Sequence, residues 1–211
     1  MRIGVDEAGK GPVLGSMFAA AVRAPPTAIP DGVDDSKRLS PSRREALAVR
    51  LRADERVEIG LAEIPVARID GAEDMNTLTV AAQAEAVAAV ARDGDGGILD
   101  AGDTSTERFA RRVRERVPVE VDLRAEHGAD ETYLLVSAAS VLAKVERDAH
   151  VAGLAETYGE VGSGYPSDPA TRAFLRTYVD AHGDLPDCAR RSWSTCDDVL
   201  AAAEQSALDS F

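Results

Sequence analysis

Gly4-Val5-Asp6-Glu7-Ala8-Gly9-Lys10-Gly11-Pro12-Val13-Leu14-Gly15 decides how the rest of the chain is read. Ile3 and Val5 alternate with small or polar neighbours, the pattern of a short buried strand. The apolar run ends in two adjacent carboxylates, Asp6 and Glu7. Neighbouring side chains on a strand point to opposite faces, so the two acids are expected to share a site only where the strand ends and the chain turns away. Gly9 and Gly11 supply such a turn and leave backbone N–H groups open to a closely approaching phosphate. The order is not that of a nucleotide P-loop, because G-x-x-x-x-G-K-[ST] is absent. An Asp-Glu pair alone is common in solvated loops. It becomes a metal–carboxylate centre beside a phosphate-binding turn only if further acids converge on it.

Outward from this strand, Pro12 to Arg23 reads as a second apolar strand bent at Gly15, closed by Ala24-Pro25-Pro26-Thr27. Ser40-Pro41 opens a helix, with an N-cap hydroxyl followed by proline in the first turn. Val57, Ile59 and Leu61 alternate as a strand. Asn76 to Arg92 is an alanine-rich helix with Leu78, Ala82, Val87 and Val90 on one side. After the turn Asp93–Gly97, Ile98-Leu99-Asp100 forms a short buried strand. Thr104 or Ser105 caps a helix running to Arg116, and Val119, Val121 and Leu123 alternate as a strand. A long helix is expected from Glu131 to Tyr158, with two more at Pro169–Ala181 and Ser194–Gln205. Strands interleaved with helices, then a helical last third, predict an α/β fold with a C-terminal helical lobe. The N-terminal hairpin makes its central sheet mixed. The expected division is a catalytic core over 1–155, a helical subdomain over 156–204 and a tail over 205–211.

A chain of 211 residues suits one domain with a small appended lobe. No run is long enough to span a bilayer and no secretory signal opens the chain, so a cytoplasmic location is expected. Cys188 and Cys196 match no zinc or CxxC spacing and read as reduced structural thiols. Net charge is −13, and of 24 basic residues only Lys10, Lys37 and Lys144 are lysine. An acidic, lysine-poor composition is expected of a protein working in concentrated salt, where a Debye length of about 3 Å screens repulsion among surface carboxylates; the alternative is an ordinary acidic cytosolic protein. Such salt also weakens the counterion-release contribution to nucleic-acid binding. A few placed cations and hydrogen bonds then do more of the work. All three lysines fall in segments marked here for chemistry.

Strand ends carry acids at three places: Asp6 with Glu7, Asp100 after Ile98-Leu99, and Asp130 beyond the Val119–Leu123 strand. Sites in open α/β sheets form at the carboxyl ends of strands. Four carboxylates with only His127 nearby make an oxygen-rich site suited to Mg²⁺ or Mn²⁺ rather than zinc. Asp103 competes with Asp100, which is preferred because it directly follows the apolar pair. Leu134, Ala138, Val141, Leu142 and Val145 mark the expected buried face of the long helix. Ser137, Ser140, Lys144 and Arg147 lie along another, as a stripe for a phosphate backbone or as a solvated face.

With these residues in view, the chain resembles ribonuclease HII of the archaeal type. The resemblance rests on Gly4–Gly15, on Asp35-Ser36-Lys37-Arg38-Leu39-Ser40, on Ile98–Asp103, on Glu126–Asp130, on Ser137–Asp148 and on Gly164-Tyr165-Pro166-Ser167. It implies a ribonuclease H-like fold and an endonuclease that cuts RNA within RNA–DNA hybrids or at single ribonucleotides in duplex DNA. It also implies two metal ions on Asp6, Glu7, Asp100 and Asp130, and 5′-phosphate and 3′-hydroxyl products. Gly9-Lys10-Gly11 corresponds to the family turn that contacts the backbone around the ribose 2′-OH. Lys10 stands there where many bacterial relatives have arginine, a point charge in place of a bidentate fork. Tyr165 corresponds to the tyrosine that stacks at the RNA–DNA junction. Gln205, Leu208 and Phe211 resemble a sliding-clamp-binding box lacking its second aromatic. The competing readings are a junction resolvase on the same fold and a non-catalytic clamp-associated binding protein.

Overall fold

A computed structural model of the chain describes residues 1–33 and 39–208, with side chains through 205. The chain forms two compact units. The first comprises Met1–Lys10, Met17–Glu63 and Asp74–Arg147; the second comprises Gly11–Ser16, Ile64–Glu73 and the chain from Asp148.

The first unit is built on strands β1 (Arg2–Ala8), β2 (Met17–Ala24), β3 (Glu58–Ile64), β4 (Asp95–Asp100) and β5 (Val121–Glu126) in the order β3-β2-β1-β4-β5. β1 runs antiparallel to β2 and parallel to β4, and β4 runs parallel to β5, so the sheet is mixed as expected. Helices α1 (Pro41–Ala53), α3 (Met75–Ala88), α4 (Thr106–Arg114) and α5 (Leu134–Tyr158) pack around it; the short α2 (Val66–Ile69) belongs to the second unit. Caps fix the helix starts where hydroxyls and carboxylates stand ready to accept orphan N–H groups. Ser40 accepts from Arg43 N, Asp74 from the Asn76 and Thr77 amides, and Ser105 from Arg108 N.

On one side of the sheet, Ala20, Val22 and Ala24 of β2 meet Leu47 and Leu51 of α1 and Ala138, Val141 and Leu142 of α5. Gly4 makes this contact close. A Cβ there would lie 2.2 Å from the Leu135 carbonyl carbon, so only glycine lets α5 rest on β1. Gly60 of β3 plays the same part for α3, since its Cβ would stand 2.0 Å from the Ala86 carbonyl oxygen.

Three expectations are corrected. The second strand does not start at Pro12 but at Met17, because Gly15 takes a left-handed φ of +77° that ends extended pairing. Leu14 instead forms an isolated antiparallel bridge with Ala189 inside the second unit. The long helix begins at Leu134 rather than Glu131, after a 3-10 turn over Ala129–Glu131 entered through Gly128 at φ +64°. Leu134 is exposed rather than buried, and Leu135 to Ala143 are all buried, since this part of α5 shares one core with β2 and α1.

The second unit joins the latter part of α5 to α6 (Pro169–His182) and α7 (Ser194–Leu208) around Val13, Leu14, Leu175, Val179, Cys188, Cys196 and Val199. Both cysteines are free and buried, and burial pushes each thiol up to about 11. They are packing residues with no nucleophilic character at neutral pH.

Candidate active site

Asp6 and Glu7 come together by a route other than the expected one. β1 does not end at the acids. It continues on β2 as far as Ala8, opposite Phe18, while its pairing with β4 stops at Val5 opposite Leu99. Past that point β1 and β4 separate into a notch whose margins carry Asp6 and Glu7 on one strand and Asp100 on the other. Alternation sends Asp6 toward α5 and Glu7 toward α3. Each acid meets a polar side chain from the helix it faces.

Asp6 is buried and accepts a hydrogen bond from Ser140 of α5, whose hydroxyl in turn receives Lys144 Nζ at 2.7 Å. Its Oδ1 also accepts the Glu7 amide at 2.7 Å. Glu7 receives Gln83 Nε2 of α3 at 2.6 Å, and the same amide group donates to the Asp100 carbonyl at 2.9 Å. Asp100 Oδ1 accepts the Ala129 amide at 2.8 Å, which seats the buried Asp130 in the 3-10 turn beside the end of β4. The Ser137 hydroxyl closes that turn by donating to the Asp130 carbonyl. Lys10 Nζ donates to the Gly102 carbonyl at 2.7 Å and to Asn76 Oδ1 at 3.2 Å.

The electrostatics follow from that crowding. Burial raises the Asp6 carboxyl well above the usual carboxylate range, and the charges on Glu7 and Asp100 push the same way against Ser140. Burial likewise raises Glu7 to about 7; Asp100 adds to this, while Gln83 and Lys10 oppose it. Mutually repelling carboxylates, all oxygen donors, are the environment a hard divalent cation relieves. The donor set therefore fits Mg²⁺ or Mn²⁺. Among the described residues, no three His, Cys, Asp or Glu side chains are already gathered around a point where an ion would sit.

Asp103 has a different task. It is buried against Arg108 Nη2 at 2.8 Å and the Thr104 amide at 2.6 Å, and chiefly the guanidinium holds its carboxyl below the usual range. Asp100 is the acid electrostatically coupled to Asp6 and Glu7. On α5 the polar stripe is no solvated face: Ser137 and Ser140 are buried and bonded to the acid-bearing segments, with Lys144 and Arg147 half-buried beyond them. Gly9 adopts φ +91°, the left-handed conformation expected of that turn. Within the second unit, Tyr165 is exposed and stands against Gly11, where an added Cβ would lie 3.7 Å from the ring. Lys37 and Phe211 lie outside the described residues, as does the side chain of Leu208; Gln205 is exposed on α7.

Gln83, Asn76 and Gly102 escaped the sequence reading. One signal for Gln83 exists: it and Thr79 are polar residues one helical turn apart among buried alanines, and a fully buried amide in such a face needs a partner. Gly102 is a matter of room, since a Cβ there would press on Thr79 at 2.7 Å and stand 3.3 Å from Glu7 Oε1.

Acids at the ends of parallel strands in a mixed five-stranded sheet, braced from helices on both sides, define a nuclease of ribonuclease H-like fold. The family model for Ribonuclease HII matches residues 3–196. A Ribonuclease HII from Haloarcula marismortui is 67% identical over the full length of both chains. Among solved structures, ribonuclease H2 from Pyrococcus horikoshii superposes with a TM-score of 0.89 at 34% identity, covering 97% of this chain and 99% of that one. The PCNA:RNase HII complex from Archaeoglobus fulgidus matches with a TM-score of 0.82 at 36% identity, over 94% and 96% of the two chains. The chain belongs to the ribonuclease HII family and is a type 2 ribonuclease H, an endonuclease. No helix among the described residues is long and apolar enough to cross a membrane.

Proposed function

We propose that this enzyme hydrolyses the RNA strand of RNA–DNA hybrids and cuts at single ribonucleotides embedded in duplex DNA, leaving 5′-phosphate and 3′-hydroxyl ends. The observation that carries this reading is the grouping of Asp6, Glu7 and Asp100 in the notch between β1 and β4, with the Asp6 and Glu7 carboxyls raised by burial and by neighbouring charge. Asp6, Glu7, Asp100 and Asp130 would hold two divalent ions, Mg²⁺ or Mn²⁺, which when bound acidify a water and offset charge on the departing 3′ oxygen. The protein supplies the arrangement. Gln83 keeps Glu7 aimed into the notch, Ser140 and Lys144 do the same for Asp6, and the Ala129 amide holds Asp100.

The 2′-OH separates ribose from deoxyribose, so selectivity depends on groups that reach it. We assign that contact to the Gly9-Lys10-Gly11 turn, with Tyr165 stacking on the nucleotide beyond. Lys37, Lys144 and Arg147 are assigned to the phosphate backbone, and Ser137 and Ser140 support it through the acids they already bond. Asp130→Asn removes a ligand without changing shape. It is expected to keep the wild-type circular dichroism while losing most cleavage of a hybrid duplex in Mg²⁺. Cleavage at the wild-type rate would defeat the assignment.

We further propose that Gln205, Leu208 and Phe211 engage a sliding clamp, with the enzyme acting on chromosomal DNA in the cytoplasm. Support comes from the PCNA:RNase HII complex of Archaeoglobus fulgidus, whose ribonuclease is 36% identical to this chain. Deleting Leu208–Phe211 is expected to abolish clamp binding in a pull-down and leave hybrid cleavage intact. Undiminished clamp binding would dismiss the tail.

A further inference from the structure

The chain has one tryptophan, and it is placed against the turn assigned above to ribose. Trp193 Nε1 donates to the Gly11 carbonyl at 3.3 Å. Arg190, fully buried, lies over the indole at 4.9 Å from the ring centroid and donates through Nε to the Gly15 carbonyl at 2.8 Å. Its own amide bonds the Val13 carbonyl at 2.8 Å, and the Gly15 amide bonds the Cys188 carbonyl at the same distance. Gly11, Val13 and Gly15 are thus each tied to the segment 188–193. That segment is itself held firmly: Asp70 accepts the Arg191 amide at 2.8 Å, the Ser192 amide at 3.0 Å and the Ser192 hydroxyl at 2.7 Å.

We infer that Trp193, backed by Arg190, is a positioning residue for ribose selection: its indole N–H fixes the Gly11 peptide, and through it the backbone that meets the 2′-OH. The inference rests on the assignment of Gly9–Gly11 to the ribose. Gly11 lies within ordinary van der Waals reach of Tyr165, whose ring would stand 3.7 Å from an added Cβ, and a glycine by itself leaves the backbone loose. Pro12 restricts Gly11 from one side and offers no N–H of its own. The indole supplies the remaining constraint on the Gly11 carbonyl.

Trp193→Phe keeps the ring over Arg190 and removes only the donor. With a duplex carrying a single ribonucleotide, the expected result is a KM raised about fivefold to tenfold, the loss of one hydrogen bond, with kcat within about twofold and the melting temperature unchanged. An unchanged KM overturns the inference, as does a fall in kcat matched by a lowered melting temperature, which marks a merely structural role. A second readout needs no variant. Titrating the wild-type protein in EDTA with the ribonucleotide duplex is expected to change Trp193 emission more than the all-DNA duplex does, and equal responses overturn the inference. A wild-type enzyme that cuts neither duplex would refute the ribonuclease substrate reading itself, and this inference with it.

Discussion

Asp100 and Asp103 stand three positions apart at the end of one strand and do opposite things. Asp100 raises the carboxyls of Asp6 and Glu7, whereas Asp103 is spent on Arg108 and the Thr104 amide. Asp100→Asn is expected to lower kcat/KM by more than about 100-fold, beyond the loss typical of a residue that only supports a ligand. Asp103→Asn is expected to leave kcat/KM within a few-fold and to lower the urea midpoint through a weakened pair with Arg108. The reverse pattern in steady-state assays and urea melts would exchange the two roles. Gln83→Leu removes the donor shared by Glu7 and the Asp100 carbonyl; a charge-assisted bond of about 1.5–3 kcal/mol corresponds to a loss of roughly 10- to 100-fold in kcat. Asp100 was legible in the sequence because an acid closing an apolar run at a strand end has few structural uses. Gln83 was not, because a lone amide among alanines shows its partner only once β1 and α3 are packed together.

The elements were readable from alternation and caps, and their limits were not. Ser40, Ser105 and Pro169 mark helix starts that the structure keeps. The notch, by contrast, depends on β1 outrunning β4, which is a matter of register between segments some ninety residues apart and leaves no local trace. The seating of α5 on Gly4 is equally non-local. Gly4→Ala sets a methyl 2.2 Å from a carbonyl carbon that cannot move without its helix, so destabilisation of roughly 3 kcal/mol or more is expected in urea unfolding. A change below about 0.5 kcal/mol would show that α5 is free to shift. A second test concerns the first residue of β4. Burial alone would raise Asp95, but Arg23, with Nε at 2.6 Å, and the Arg92 amide outweigh it and hold the carboxyl at about 2. This value is depressed relative to the unfolded chain, at about 3.9. The stabilisation is therefore fully present above about pH 5 and is lost as pH falls through about 2, on the order of 2–3 kcal/mol in all. Urea unfolding of wild type and Asp95→Asn should accordingly converge as pH drops across that window. A constant difference between them would contradict the pairing.

At the scale of the whole molecule, a net charge of −13 was legible at once, and it fits a relative from Haloarcula marismortui at 67% identity. Self-repulsion of that size destabilises the compact state when salt is dilute. Raising KCl from about 0.2 M to 1 M shortens the Debye length to about 3 Å and is expected to move the urea midpoint upward. A midpoint that stays fixed or falls would show that surface charge does not limit stability. What composition conceals is the local sign: the notch gathers acids while Lys10 is tied to Gly102 and Asn76. The most direct test maps cleavage on two duplexes identical except for one ribonucleotide, in Mg²⁺ at low and at molar KCl. The account predicts one cut, at the ribonucleotide, with 3′-hydroxyl and 5′-phosphate ends, and an intact all-DNA duplex. Cutting of both duplexes alike, or a cut that ignores the ribonucleotide, would contradict it.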